Sequence, residues 1–318
     1  MSDAESQRPR VGGGKQRSTR ARARLYPRRM SEWTIGILGG SGLYEMEALE
    51  EAQWIAVDTP WGAPSDSLLV GRLHGVRFVF LPRHGRGHRI PPSQVNARAN
   101  IDALKRAGCT DLIAISAVGS LQEALAPGRF VVVDQFIDRT FAREKSFFGP
   151  GLVAHVSMAD PVCPRLSGLL AAAAQSAGAD VAKGGTYLAM EGPQFSSRAE
   201  SELYRSWGCD VIGMTAMPEA KLAREAELPY ALVGMVTDYD CWRQGEAAVE
   251  VSAIIAQLMA NAGTARRMVE AFAKALPDER AASPIDSALD SAIITAPESR
   301  DPAMLARLDA ICGRFLRR

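Results

Sequence analysis

Between Ala231 and Val236 the chain is almost continuously apolar, and immediately afterwards it turns acidic: Ala231–Trp242 reads ALVGMVTDYDCW, with Asp238 and Asp240 one residue apart. An apolar run of this length predicts a strand covered on both faces, as in a parallel sheet. In open α/β sheets the ligand sits beyond the carboxyl ends of such strands. Other apolar runs repeat the pattern. Strands are predicted at Thr34–Leu38, Leu112–Val118, Arg129–Ile137, Gly185–Met190 and Asp210–Met214, with a hairpin of Leu68–Val70 and Val76–Leu81 turning at His74-Gly75. Helical periodicity places helices from Ser93, as cap, to about Ala107 with Gly108 as stop, then over Pro164–Ala177, Ala199–Trp207, Pro218–Ala226 and Val249–Ala275. Strands alternating with helices from about residue 93 to 275 predict an α/β fold with a largely parallel central sheet.

The ends of the chain follow neither pattern. Residues 1–30 carry nine Arg/Lys against Asp3 and Glu5 and have almost nothing to bury, so a disordered basic extension is expected, with Met30 as an alternative start. Gly12–Lys15 (GGGK) is not a phosphate-binding loop, because no strand precedes it and no Ser or Thr follows the lysine. The domain proper is expected over 31–276. Residues 277–318 read as a linker and a short amphipathic helix, Ala303–Leu316.

Composition narrows the class. The 318 residues are 47% apolar and 23% charged, ordinary for a globular chain with ample core. Net charge is +1, and since residues 1–30 contribute +7, the body carries −6, which argues against nucleic acid as a partner. Five scattered cysteines without a CxxC pair suggest neither a disulfide framework nor a metal site. No apolar run reaches a membrane span, and the N-terminus lacks a secretory apolar segment, so the cytoplasm is the expected compartment and no membrane is expected as partner.

Candidate chemistry gathers where strands end. Four strands end in small hydroxyl or charged residues, Ser41 (in the turn Gly39-Gly40-Ser41-Gly42), Arg83 with His84, Ser116 and Thr215, and a fifth ends in Asp238. Glycine-rich turns offer backbone N–H groups, and hydroxyls with an arginine complete a nest for an anion the size of phosphate. The Gly40–Glu45 turn has Glu45 where a dinucleotide fingerprint needs its third glycine, so a Rossmann site is not expected.

Several long segments occur in order: IGILGGSGLYE (Ile35–Glu45), DTPWGAPSD (Asp58–Asp66), PRHGRGH (Pro82–His88) and SAVGS (Ser116–Ser120). MEGPQFSSRAE (Met190–Glu200), GMTAMPEAKLAREAELPYA (Gly213–Ala231) and TDYDCW (Thr237–Trp242) follow. Over about residues 33–275 the chain closely resembles the trimeric purine nucleoside phosphorylase family, in particular its members that act on 5′-methylthioadenosine.

The resemblance implies a single α/β domain around a mixed, distorted barrel-like sheet flanked by helices, a homotrimer, and phosphorolysis of a purine nucleoside with no cofactor or metal beyond the co-substrate phosphate. It assigns phosphate to Ser41, Arg83, His84, Ser116, the Ala117 backbone and Thr215. The purine falls to Phe195, Ser196, Met214, Asp238 and Asp240. Met190 would lie under the ribose, Val251, Ile254 and Ile255 would face its 5′ substituent, and His155 would come from a neighbouring subunit. Asp238, kept protonated by burial and by the charge of Asp240, would donate to purine N7. Asp240 would accept from a 6-amino group. Relatives that prefer 6-oxopurines carry Asn in this region, so two aspartates favour adenine, with a broad or 6-oxopurine phosphorylase as the alternative and a non-catalytic nucleotide-binding module as a second. The C-terminal helix is expected to close over a neighbouring subunit's 5′ pocket, so that truncation after Pro277 would raise KM.

Overall fold

The computed structural model describes residues 32–40, 42–243 and 251–316. The expected extension at 1–30 and Ser41 lie outside the described residues.

Among the described residues eleven strands form one mixed sheet: β1 (Thr34–Gly39), β2 (Glu50–Ile55), β3 (Leu68–Leu73), β4 (Val76–Pro82), β5 (Asp111–Ser120), β6 (Phe130–Val132), β7 (Gln135–Asp138), β8 (Val181–Lys183), β9 (Thr186–Ala189), β10 (Val211–Gly213) and β11 (Tyr230–Asp238). The helices are α1 (Ala97–Arg106), α2 (Pro164–Ser176), α3 (Arg198–Ser206), α4 (Ala216–Glu225), α5 (Val251–Ala275), α6 (Pro302–Arg307) and α7 (Gly313–Leu316).

The order β2-β3-β4-β1-β5-β10-β9-β7 makes a continuous path, and β11 leaves it by pairing with both β5 and β6. Strand β5 is the junction. Its first half pairs in parallel with β1, most of its length pairs in parallel with β11, and its last two residues pair antiparallel with β10. Because β4, β1, β5 and β11 run in one direction, their carboxyl ends reach one edge together.

The apolar run of β11 is explained by its two covered faces. Ala231, Val233 and Met235 pack with α2 and α5, whereas Leu232 and Val236 pack with α1, α4 and the C-terminal segment. Period-two alternation is still present, but each face finds a helix layer instead of water.

Several expected boundaries move for local reasons. The helix expected from Ser93 begins at Ala97, because Asn96, whose side chain accepts from the Ala99 amide, is the cap; Pro92–Gln94 is a short 3-10 turn. The run Arg129–Ile137 divides into β6 and β7, which pair with different strands. The His74-Gly75 turn has positive φ at both residues, as a two-residue hairpin requires. Strands β2 and β8 were not expected: β2 is an exposed edge (EEAQWI) and β8 has three residues, so neither carries an apolar signature.

The C-terminal segment differs most. In place of one helix over Ala303–Leu316 there are the short α6 and α7, and the segment packs on its own chain. Leu308, Ile311 and Cys312 are buried in the core cluster that also contains Leu222, Ala223 and Leu228. Arg314 pairs with Glu227 and Asp290, and Arg280, fully buried, lies between Asp111 and Asp286. Each buried aliphatic side chain contributes about 1.5–3 kcal/mol. Truncation after Pro277 should therefore lower Tm severely or abolish the cooperative thermal transition, an effect on stability and not on KM alone; an unchanged Tm would show that the segment is an appendage.

Candidate active site

A cavity of about 540 Å³ opens at the edge where the carboxyl ends of β1, β4, β5 and β11 meet. Its walls include Arg83, His84, Ser116, Ala117, Met190, Phe195, Met214, Thr215, Asp238, Asp240 and Ile254, drawn from seven separate stretches of chain. Most of its surface is apolar, supplied by residues such as Val118, Ile212, Met235 and Leu258. Polar groups cluster at two ends.

At one end stand Arg83, His84, Ser116 and Thr215. Arg83 is 2% exposed, and its guanidinium is held by Glu219 of α4, with Nε on Oε1 at 2.5 Å and Nη2 on Oε2 at 3.1 Å. Nη2 also donates to the Leu38 carbonyl and Nη1 to the Ile115 carbonyl. Of five guanidinium hydrogens, one on Nη1 is thereby left over. The Ser116 and Thr215 hydroxyls are both buried and both without a hydrogen-bond partner. Two unpaired buried hydroxyls beside a fixed cation form a site that an oxyanion would satisfy. Gly40 lines the same end, and the loop it begins is tied to α5 by Arg266, which donates to the Gly42 carbonyl.

His84 is not a ready hydrogen-bond donor to an anion. Its Nδ1 lies 2.9 Å from the Ile90 carbonyl, an acceptor, so Nδ1 carries the hydrogen and Nε2 of the neutral ring has only a lone pair. Burial, followed by the charge of Arg83, pushes the imidazole pKa down to about 4. His84 is thus neutral near pH 7 until an anion arrives, when it either accepts a P–OH hydrogen or takes up a proton favoured by the anion's charge. Its ring stacks on His88 at 4.4 Å.

At the other end β11 delivers its two acids. Asp238 Oδ1 accepts the Asp240 amide at 2.8 Å, a turn made possible by positive φ at Asp240. Gly119 of β5 leaves room beside them, since a Cβ there would crowd Asp238 Oδ1 at 3.0 Å. Burial raises the pKa of Asp238, with the Thr237 hydroxyl and the Asp240 amide working against it. Burial also raises Asp240, and there the charge of Asp238 adds to it. The repulsion between two such close carboxyls is mutual, and the pair resists double ionisation. Asp240 lines the cavity, and its Oδ2 is buried and makes no close hydrogen bond, although the nearby Ser201 and Ser196 hydroxyls oppose the rise in its pKa. Trp242 supports the turn from below, its Nε1 donating to the Ser120 carbonyl while Arg205 lies over its ring.

The remaining expected residues are spread more widely. Ser196 is not on the cavity wall; its hydroxyl approaches Met190 Sδ and its carbonyl accepts the Cys241 thiol. Ile254 lines the cavity, but Val251 and Ile255 on the same helix are exposed, at 59% and 54%. His155 is exposed and outside the cavity, on a segment joined to residues 292–293.

One residue central to the site gave no signal in the sequence. Arg143, in the loop after β7, donates to the carbonyls of Met190, Glu191, Met214 and Met217 and to the Glu191 carboxylate. It joins the two loops that carry Met190 and Met214. Glu191 completes the clamp: burial raises its carboxyl, but hydrogen bonds from Ser93, the Phe141 and Ala142 amides and Arg143 prevail and bring it down to about 2.

No group of three or more His, Cys, Asp or Glu side chains arranged to hold a metal ion occurs among the described residues. Nor is any helix among them long and apolar enough to cross a membrane.

Comparison with known proteins gives a consistent picture. The model of the phosphorylase superfamily matches residues 34–274. An S-methyl-5′-thioadenosine phosphorylase of Cereibacter sphaeroides is 61% identical over 285 residues, covering 89% of this chain and 98% of its own. Among solved structures, a methylthioadenosine phosphorylase from an antarctic soil metagenomic library is 46% identical with a TM-score of 0.82, covering 88% of this chain and 99% of its own. The methylthioadenosine phosphorylase of Schistosoma mansoni in complex with adenine is 39% identical with a TM-score of 0.73, covering 76% and 91%.

Proposed function

This chain belongs to the phosphorylase superfamily, and from that premise we propose that it cleaves S-methyl-5′-thioadenosine with inorganic phosphate, giving adenine and 5-methylthioribose 1-phosphate. The observation that carries the reading is one cavity with opposite unmet needs at its two ends. Two unpartnered buried hydroxyls sit beside Arg83, and an unpartnered buried carboxylate oxygen sits on Asp240.

Phosphate occupies the first end, held by Ser116, Thr215, Arg83, His84 and the Ala117 backbone, with Ser41 from the glycine turn. The purine lies between Phe195 and Met214, its 6-amino group donating to Asp240, and Ser196 lies behind Met190. Because a buried acceptor facing a 6-oxo group would stay unpaired, Asp240 selects adenine over hypoxanthine and guanine. The ribose rests on Met190. Its 5′ substituent points to Ile254, Leu258 and Ala262, an apolar lining that suits a methylthio group better than a hydroxyl.

The reaction follows from this placement. As the C1′–N9 bond lengthens, positive charge develops on the ribose and its electrons pass to the purine. Asp238 donates to N7 and keeps the departing base neutral. A phosphate oxygen then forms the new bond to C1′ from the opposite face, with inversion. No cofactor or metal takes part.

The finer reading is a cytoplasmic homotrimer serving methionine and purine salvage. In that assembly the exposed His155, with Val251 and Ile255, reaches a 5′ pocket at the subunit boundary, and neither a membrane nor nucleic acid is a partner. The test is turnover of methylthioadenosine, adenosine and inosine with and without phosphate. Methylthioadenosine should be preferred and phosphate required. Preference for inosine would refute the adenine assignment, turnover without phosphate would indicate a hydrolase, and no turnover of any would favour a binding module.

A further inference from the structure

Strand β11 slips against β5 at one point: Val236 lies opposite Val118 and Asp238 opposite Gly119, so Thr237 is an extra residue bulged between them. Bulges re-aim side chains next to functional sites. This one buries the Thr237 hydroxyl at 2.7 Å from Asp238 Oδ2 and 3.2 Å from the Val118 carbonyl oxygen. A hydroxyl has one hydrogen to give. Two acceptors compete for it.

The two oxygens of Asp238 are not equivalent. Oδ1 meets the Asp240 amide, which can only donate. Oδ2 meets the Thr237 hydroxyl, which can donate or accept. The carboxyl proton therefore belongs on Oδ2, and while it is there the Thr237 hydrogen is directed to the Val118 carbonyl. Once Asp238 has lost its proton, Oδ2 becomes the stronger acceptor, and a rotation about one bond brings the hydroxyl onto it.

We propose that Thr237 is a positioning residue whose hydroxyl turns from the Val118 carbonyl to Asp238 Oδ2 as Asp238 protonates the leaving purine. The inference rests on the phosphorolysis reading above. In the step the Asp238 O–H bond breaks and an N–H bond forms at N7. The C1′–N9 pair goes to the purine and phosphate oxygen bonds to C1′, while Thr237 keeps its own hydrogen. The hydrogen bond to Oδ2 is thus strongest as negative charge appears on the carboxyl group, which assists the transition state and not the bound substrate. Among the groups acting on Asp238, the Thr237 hydroxyl is the foremost one opposing burial, as a donor to the ionised carboxyl must.

The experiment compares wild type with Thr237→Val, which keeps the branched shape a strand favours, Thr237→Ser, which keeps the hydroxyl, and Thr237→Ala as a second hydroxyl-free variant should the valine protein fail to fold. With methylthioadenosine and saturating phosphate, the hydroxyl-free variant should lose about 10–100-fold in kcat, the range for a hydrogen bond to a charged group, with KM within about threefold of wild type. Thr237→Ser should recover most of the rate. A 4-nitrophenyl 5-methylthioriboside, whose leaving group needs no proton, should be cleaved by the hydroxyl-free variant nearly as well as by wild type. A normal kcat without the hydroxyl, a serine variant as slow as the valine one, or equal slowing on both substrates would each overturn the proposal. Failure of the wild-type enzyme to turn over methylthioadenosine is a separate result, which overturns the underlying reading instead.

Discussion

Replacing Asp238 with alanine should lower kcat for methylthioadenosine by about 10²–10⁴-fold, the contribution of a positioned general acid, with a much smaller change in KM. The reason lies in what the carboxyl meets. Phe195, Met214 and Met190 hold the base and sugar without it, so binding survives its removal, whereas the departing purine loses its proton donor. Asp238 is active in its protonated form. Burial raises its pKa above the ordinary carboxylate value, so the protonated fraction extends to higher pH than for an exposed aspartate, and kcat/KM should fall as pH rises through that raised value. Rates with both substrates saturating check the magnitude, and rates at methylthioadenosine well below KM, followed across pH, check the direction. A near-normal rate in the alanine variant would remove Asp238 from the chemistry.

The second large effect is expected from Glu219→Gln, a change of one atom in a residue that touches no substrate. Arg83 and Glu219 are both nearly inaccessible, at 2% exposure each, and the phenolic oxygen of Tyr230 lies 3.5 Å from Oε2. Removing one partner of a buried ion pair leaves the other charge uncompensated, at a cost of about 3–5 kcal/mol. Unfolding in denaturant should register that loss as a lower midpoint. Phosphate should then stabilise the variant by less than it stabilises the wild type, because an arginine fork that is no longer held binds the anion more weakly. KM for phosphate should rise, since the Arg83 fork is no longer held in place from behind. An unchanged midpoint, or an equal phosphate-induced rise in Tm in both proteins, would show that the pair does not set the geometry of the anion end.

These two residues illustrate how differently parts of the site are written in the chain. Asp238 was legible because its signal is local: acids directly after a long apolar run mark the end of a buried strand. Arg83, His84 and Thr215 were legible for the same reason, each following its own strand, and Ser116 because it falls in the last part of one. Glu219 carried no such mark. It lies on a helix among ordinary helical residues, and its partner is 136 positions away. Arg143 was hidden in the same manner, since its carbonyl partners come from loops 47 to 74 residues further on.

By itself the sequence determined which strands would be buried on both faces, where glycine turns and acids would end them, and which family the chain resembles. These properties depend on the spacing of residue types over a few positions, and side-chain period and turn chemistry translate that spacing directly into local structure. The tertiary structure decided which strands meet. Pairing of β5 with β1, β11 and β10 brings Ser116 and Asp238 to one cavity, and the slip of β11 against β5 puts Thr237 beside the acid. It also folded the C-terminal segment onto its own chain, through Arg280 with Asp111 and Arg314 with Glu227. Such contacts join residues far apart in sequence, and pairing register and buried charge compensation are properties of two segments at once, so no window along a single chain contains them.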